Sequence, residues 1–162
     1  MRAGRLILSA LLLLILVPAA GVAWEGEVVR VLDGRTFEIE AETGARKVVL
    51  YGIGCPEPDE KYGQEAIAFV SGIVSGRTAR VEERRTIGDK AVALIYVPGR
   101  KKSLNELLLS QGLAWVHQAY CEDARMCGRW TDVMARAKSQ GKGLWSVVPP
   151  NRPPWKWLRE HS

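Results

Sequence analysis

Between residues 28 and 97 the chain lays down three strand-like stretches, one amphipathic helix and two further strand-like stretches, and few folds accept that order. Val28-Val29-Arg30-Val31-Leu32 is β-branched and stops at the turn signal Asp33-Gly34. Thr36–Ala41 alternates, with Phe37, Ile39 and Ala41 on one face and Thr36, Glu38 and Glu40 on the other. After Thr43-Gly44, residues 47–53 read as a third strand, so the three form a meander with one wet side. From Gln64 the apolar Ala66, Phe69, Val70, Ile73 and Val74 recur at helical spacing, and Gly76 is placed to end that helix. Residues 78–83 and 91–97 supply two more strands, separated by a polar stretch over 84–90. Ser103-Leu104-Asn105-Glu106 is a capping box that opens a short helix closed by Gly112. A last helix is predicted over 129–140, with Trp130, Val133, Met134 and Ala137 at helical spacing before Gly141. Five strands with a helix between the third and fourth is the OB-fold arrangement, here mainly β with three helices. An unrelated α+β sandwich gives the same string.

The first 23 residues stand outside that pattern. Arg2 and Arg5 precede an apolar or small run over 6–17, Pro18 interrupts it, and Ala19-Ala20-Gly21-Val22-Ala23 places small residues at −3 and −1 of a cut after Ala23. This is the layout of a secretory signal peptide, and the run is short of the ~20 apolar residues a membrane span needs. The expected organisation is a signal peptide over 1–23, a domain over 24–148 and a Pro/Trp-rich tail over 149–162. The protein is expected to be exported to the periplasm or the extracellular space, monomeric and without a stable membrane span once the signal is cleaved. Losing Arg2 and Arg5 lowers the formal charge from +5 to +3, which permits contact with a polyanion without requiring it. In an oxidising compartment Cys121 and Cys127 are close enough to close a short loop between two helical stretches. Cys55 is then the odd thiol. Both histidines, His117 and His161, stand alone and no cysteine pair has metal-ligand spacing, which argues against a zinc site. The proline-rich tail is expected to be extended, with Trp155 and Trp157 docked on the domain or free to meet a partner.

Several strings are similar, together and in order, to one known family. They are Val31-Leu32-Asp33-Gly34-Arg35-Thr36-Phe37, Leu50-Tyr51-Gly52-Ile53-Gly54-Cys55-Pro56-Glu57 and Tyr62-Gly63-Gln64-Glu65-Ala66. Later come Leu104-Asn105-Glu106-Leu107-Leu108, Gln111-Gly112-Leu113-Ala114, Ala137 and Gly143-Leu144-Trp145. The set resembles the thermonuclease, or staphylococcal-nuclease-like, family across almost the whole mature chain. The resemblance implies a five-stranded OB-fold barrel and hydrolysis of phosphodiester bonds in DNA and RNA with one Ca²⁺. That chemistry needs hard oxygen ligands for the cation, a carboxylate to activate water and cations to neutralise the phosphate.

At those positions the chain departs from the family. Where the family has the second Asp of Asp-Gly-Asp-Thr, a calcium ligand, this chain has Arg35. The other ligand Asp corresponds to Gly54, the phosphate-contacting Arg of the third strand to Val49, and a second phosphate Arg to Lys90. Glu57 keeps the general-base position, and Cys55 fills a slot that meets the metal through its backbone carbonyl. Placing Arg35 near a calcium ion at ~4 Å would cost roughly 1 to 4 kcal/mol per pair of like charges. No cofactor is therefore expected, and the nuclease is expected to be impaired or inactive. Arg35 and Lys90 could then bind nucleic acid or another anion, with Tyr51 as a stacking platform; the competing reading pairs Arg35 with Glu57. A second reading is an active nuclease with a rearranged site drawn from Glu57, Asp59, Glu60, Asp33 and Asp89. A third is a protein-interaction module working through the tail or Arg100-Lys101-Lys102.

Overall fold

The structure is a computed structural model that describes residues 22–147 and 152–161, so the 1–23 signal reading falls almost wholly outside the described residues. In chain order the elements are β1 (Ala23–Val31), β2 (Thr36–Ala41), β3 (Gly44–Leu50), β4 (Ile53–Gly54), α1 (Gly63–Val74), β5 (Thr78–Ile87), β6 (Lys90–Tyr96), α2 (Leu104–Ser110), β7 (Trp115–Val116), α3 (Ala124–Ser139) and α4 (Pro154–His161). Five strands close a barrel in the order β1-β2-β3-β6-β5, antiparallel throughout except for β3 against β6. The barrel expected from the strand order is therefore present, with β4 and β7 pairing separately beside it. Among the described residues no helix is long and apolar enough to cross a membrane.

The alternation of β2 sends Phe37 and Ile39 inward, where they meet Val48, Leu50, Ala91, Ala93 and Ile95 in one buried cluster. The helical stripe Ala66, Val70, Ile73 and Val74 of α1 joins the same cluster. Burying an aliphatic or aromatic side chain of this size contributes about 1.5–3 kcal/mol, so the continuous core, rather than the polar outer face, holds the barrel closed. At α2 the capping box forms as read: the Ser103 hydroxyl accepts from the Glu106 backbone N–H at 3.3 Å. One polar side chain sits at the centre of the apolar mass. Asn105 is fully buried, and its Nδ2 donates to the carbonyls of Tyr51 at 2.9 Å and Ala93 at 3.4 Å, while its Oδ1 accepts from Ile95 N–H at 3.4 Å. Asn105 thereby pins α2 to β6 and to the end of β3.

Three features differ from the sequence reading. First, β5 does not end at residue 83 but continues to Ile87 across a bulge, because Glu83 faces Ala93 while Arg85 faces Val92. Arg84 is the extra residue, and a bulge of this kind re-aims the side chains that follow it. Second, α3 begins at Ala124, where the Asp123 side chain accepts from Met126 N–H at 3.0 Å. Cys127 thus lies inside α3, and its sulfur stands at bonding distance from that of Cys121, with the Cα atoms 5.9 Å apart. The pair straddles the start of one helix rather than a loop between two. Third, the tail residues expected to be extended form a fourth helix, α4. The Pro153 carbonyl accepts from Lys156 N–H at 2.8 Å and Trp157 N–H at 3.3 Å. A proline at the first helical position, here Pro154, needs no N–H and brings its φ already set.

Candidate functional site

Beside β4 and β7 the barrel carries a cleft of about 350 Å³ between the β3–β6–β5 face and α4. Arg35, Val49, Gly54, Arg85, His117 and Trp155 are among the residues that line it. Arg35 stands on the turn between β1 and β2. That turn is fixed by its backbone: the Asp33 carboxylate accepts from Arg35 N–H at 2.8 Å, and the Arg35 carbonyl accepts from Leu50 N–H at 2.9 Å. The guanidinium is left over. Arg35 has no ion pair within 4.0 Å among the described residues, so the pairing with Glu57 considered from sequence is not made.

Of the positions singled out in the sequence, the cleft collects Arg35, Val49 and Gly54 and leaves Glu57 and Lys90 outside its lining. Lys90 is exposed at the start of β6, two residues from the lining residue Val92 and opposite Lys47 of β3. Glu57 lies in a chain of turns leading into α1, where the Glu60 side chain accepts from Glu57 N–H at 3.1 Å. Glu60 is buried in that role, which withdraws it from any metal-binding set. Cys55 is buried beneath Gly34, and desolvation pushes its thiol far above the ordinary cysteine range, so it is a small packing side chain and not a nucleophile.

Tyr51 is a correction. It is buried, and its hydroxyl accepts from the backbone N–H groups of Glu122 at 2.5 Å and Asp123 at 3.3 Å. It therefore positions the segment before α3 and offers no exposed ring for stacking. The aromatic groups of the cleft are others. His117 packs at 4.1 Å from the Trp155 ring and at 4.4 Å from the Tyr120 ring, which makes a row of three along one wall. Among the described residues, five large apolar side chains stand out as exposed, and three of them, Ile87, Tyr120 and Leu158, rim this one cleft. Such convergence on a single cleft marks a contact surface rather than scatter.

Arg85 is the second guanidinium in the lining. The β5 bulge delivers it beside Val92, whose own strand partner on β3 is Val49. Its Nη1 donates to the Glu122 carboxylate at 2.6 Å, and its Cζ lies 5.3 Å from the Tyr120 ring centre. The Arg85 Nε–H is shielded from solvent with no partner. His117 Nδ1 is likewise shielded and has no hydrogen-bond partner outside its own residue. Burial holds the His117 imidazole below its ordinary pKa, and Arg35 pushes it in the same direction. Neither Arg85 nor His117 carries a local sequence signal. Only the strand register and the return of the chain at β7 bring them to the cleft.

The donor set suits anions and not calcium. Two arginines line the cleft, and among the described residues that line it none is acidic. Among the described residues no group of three His, Cys, Asp or Glu side chains is placed to hold a metal ion. At Gly54, moreover, an added Cβ would come within 3.0 Å of both Pro154 Cγ and Trp155 Cζ3. A longer carboxylate side chain there would compete with α4 for the same space.

A sequence model described as "Staphylococcal nuclease homologue" matches residues 47–147. This chain belongs to the staphylococcal nuclease family. It is similar to a "Micrococcal nuclease" of Shigella flexneri, 30% identical over 165 residues that cover 96% of this chain and 91% of that protein. "Protein ParB" of Escherichia coli is 32% identical, covering 95% and 90% respectively. The "Thermonuclease" of Staphylococcus hyicus is 27% identical over 74% of this chain and 75% of its own length. Within this staphylococcal nuclease homologue, the cleft gathers Arg35, Val49 and Gly54, three of the positions singled out in the sequence.

Glu57 yields one measurable consequence. Desolvation raises its carboxyl above the ordinary glutamate value, Arg35 partly offsets this, and Asp33 and Asp59 add to it. The folded state then binds more protons than the unfolded one just above the usual glutamate pKa of about 4.3, so stability falls as pH rises through that window. Glu57→Gln is expected to raise the thermal midpoint at pH 7 and leave it unchanged at pH 3. Equal shifts at the two pH values, in melting followed by circular dichroism, would refute this.

Proposed function

We propose that this staphylococcal nuclease homologue is an exported, catalytically silent monomer that binds single-stranded nucleic acid through its phosphates without a metal ion. The observation that carries the reading is the cleft lining, which among the described residues holds two arginines, one of them free of any ion pair, and no carboxylate. A guanidinium offers phosphate a planar fork that can donate two hydrogen bonds at once. Arg35 thus supplies positive charge at the position where the resemblance puts the calcium ion. Arg85 supplies a guanidinium on the face where Val49 has none, and Lys90 extends the basic track beyond the cleft. Tyr120 gives a base an exposed ring to stack on, the combination by which OB folds hold single strands. Nucleic acid is chosen among anions because the relatives include a micrococcal nuclease and a thermonuclease. Export is supported by the signal-like start of the sequence, and in an oxidising compartment Cys121 and Cys127 would form a disulfide holding the segment that carries Glu122. Phosphodiester hydrolysis is not part of this reading, since Glu57 lies outside the cleft lining and among the described residues no carboxylate set is placed to bring a metal to it.

The test is a fluorescence anisotropy titration of a labelled single-stranded oligonucleotide with the mature protein, in calcium and in chelator. Equal affinity in both is expected, falling steeply with salt as phosphate contacts release counterions. Calcium-dependent shortening of the oligonucleotide would overturn the proposal.

A further inference from the structure

The two positions that most separate this chain from a calcium site are Arg35 and Gly54, and the structure gives the second a use of its own. Gly54 sits in β4, paired with Trp115 of β7, and the surface above it is occupied by the start of α4. Pro154 is buried there, and Trp155 lies against both the Gly54 backbone and the His117 ring. A methyl here would stand 3.0 Å from Pro154 Cγ and Trp155 Cζ3, so both side chains would have to give by a few tenths of an ångström, and a larger group would press them further. The helix docked in this socket does not fill the cleft. Pro154, Trp155 and Leu158 form one of its sides, and about 350 Å³ stays open between them and the arginines.

The charge of the tail bears on its role. Arg152, Lys156 and Arg159 stand against Glu160 in the same stretch, so the tail is basic and a poor mimic of an anionic ligand. A segment that competed with phosphate would be expected to carry the opposite sign. A basic, aromatic wall adds to the attraction that the two arginines already exert.

We infer that α4 is the wall that completes the cleft, that Gly54 is the positioning residue that seats it, and that the completed cleft admits an unpaired nucleotide unit rather than a duplex. The inference rests on the reading of the cleft as a phosphate site. A cleft of this size is at the small end of ligand pockets, which run from about 300 to 1,000 Å³. In a duplex the bases are stacked and turned inward, so no ring is available to Tyr120 or to the face of Trp155. In a single strand one base can swing between the aromatic row and the Leu158 side while its phosphate meets Arg35 and Arg85. An isolated helix as short as α4 is marginal in water, so the seat at Gly54 is what keeps the wall in place.

The experiment compares the unaltered mature protein with Gly54→Ala and Trp155→Ala, titrating each against a labelled single strand and against the corresponding duplex. The ring protons of His117, one of two histidines, report by NMR whether the tail has left its seat. Both variants should bind the single strand about 10-fold more weakly, lose most of the preference over duplex, and retain cooperative thermal unfolding. In Gly54→Ala, which keeps every aromatic ring, the His117 signals should move as Trp155 is displaced. Unchanged affinity in Trp155→Ala would remove α4 from the site while leaving the arginine reading intact. Tighter binding in either variant would overturn the inference in the other direction and make α4 a cover over the cleft. Absence of binding by the unaltered protein would overturn both readings together.

Discussion

Arg35→Glu is expected to weaken binding of single-stranded DNA by about 100-fold at moderate salt, the largest effect of any single surface substitution in this protein. A hydrogen bond to a charged group contributes about 1.5–3 kcal/mol, and reversing the sign adds repulsion between the carboxylate and the phosphate. The fold should hardly notice. The contacts by which Arg35 shapes its turn are made by its backbone N–H and carbonyl, and its guanidinium has no ion pair among the described residues. The thermal midpoint is therefore expected to stay within a degree or two. Arg35→Lys should fall between the two, because a point charge replaces the fork. Anisotropy titrations paired with melting curves decide the matter, and an affinity unchanged in Arg35→Glu would place the nucleic-acid contact elsewhere on the molecule.

The largest expected loss of stability lies at Asn105. Truncating it to alanine strands the Tyr51 carbonyl and the Ile95 N–H inside the core, while the Ala93 carbonyl keeps the Tyr51 N–H at 2.8 Å. A buried polar group left without a partner costs about 1–3 kcal/mol, and the side chain's packing is lost as well, so Asn105→Ala should destabilise by about 3 kcal/mol. For a domain of this size that corresponds to a fall of roughly 10 °C in the midpoint. Asn105→Leu should fare little better, because it fills the volume but satisfies neither of the two stranded groups. A midpoint shift under about 3 °C in either variant would show that these hydrogen bonds carry little net weight. Asn105 also touches function at one remove. It holds the Tyr51 carbonyl, the Tyr51 hydroxyl holds the Glu122 backbone, and the Glu122 carboxylate holds Arg85 in the cleft.

The barrel was legible in the sequence because its signals are local. Phe37 and Ile39 alternate with Glu38 and Glu40, and Ser103 and Glu106 announce a helix within four residues. Arg35, Val49 and Gly54 could be named because ordered strings fix their places relative to the fold. What stayed hidden depends on geometry that no window reveals. Arg85 enters the cleft only through the bulge that carries β5 past residue 83. His117 and Tyr120 arrive there because β7 pairs with β4, more than sixty residues upstream. Tyr51 was misjudged for the same reason. An aromatic residue at the end of a strand can face either way, and the two N–H groups that claim its hydroxyl come from the segment before α3. The tail's composition points to extended chain, but Pro154 stands at the start of a helix rather than preventing one.

The packing at Gly54 also makes the effect of one substitution depend on another. With Trp155 and Pro154 in their seat, an aspartate at position 54 meets a steric penalty before it can meet a metal ion. A chain that first loses the seated tail would feel no such penalty. The sites are thus coupled, and a carboxylate at this position should cost less stability in a chain whose tail is already altered. The packing around a single glycine thus constrains which neighbouring sequences this protein can adopt without rearranging its tail.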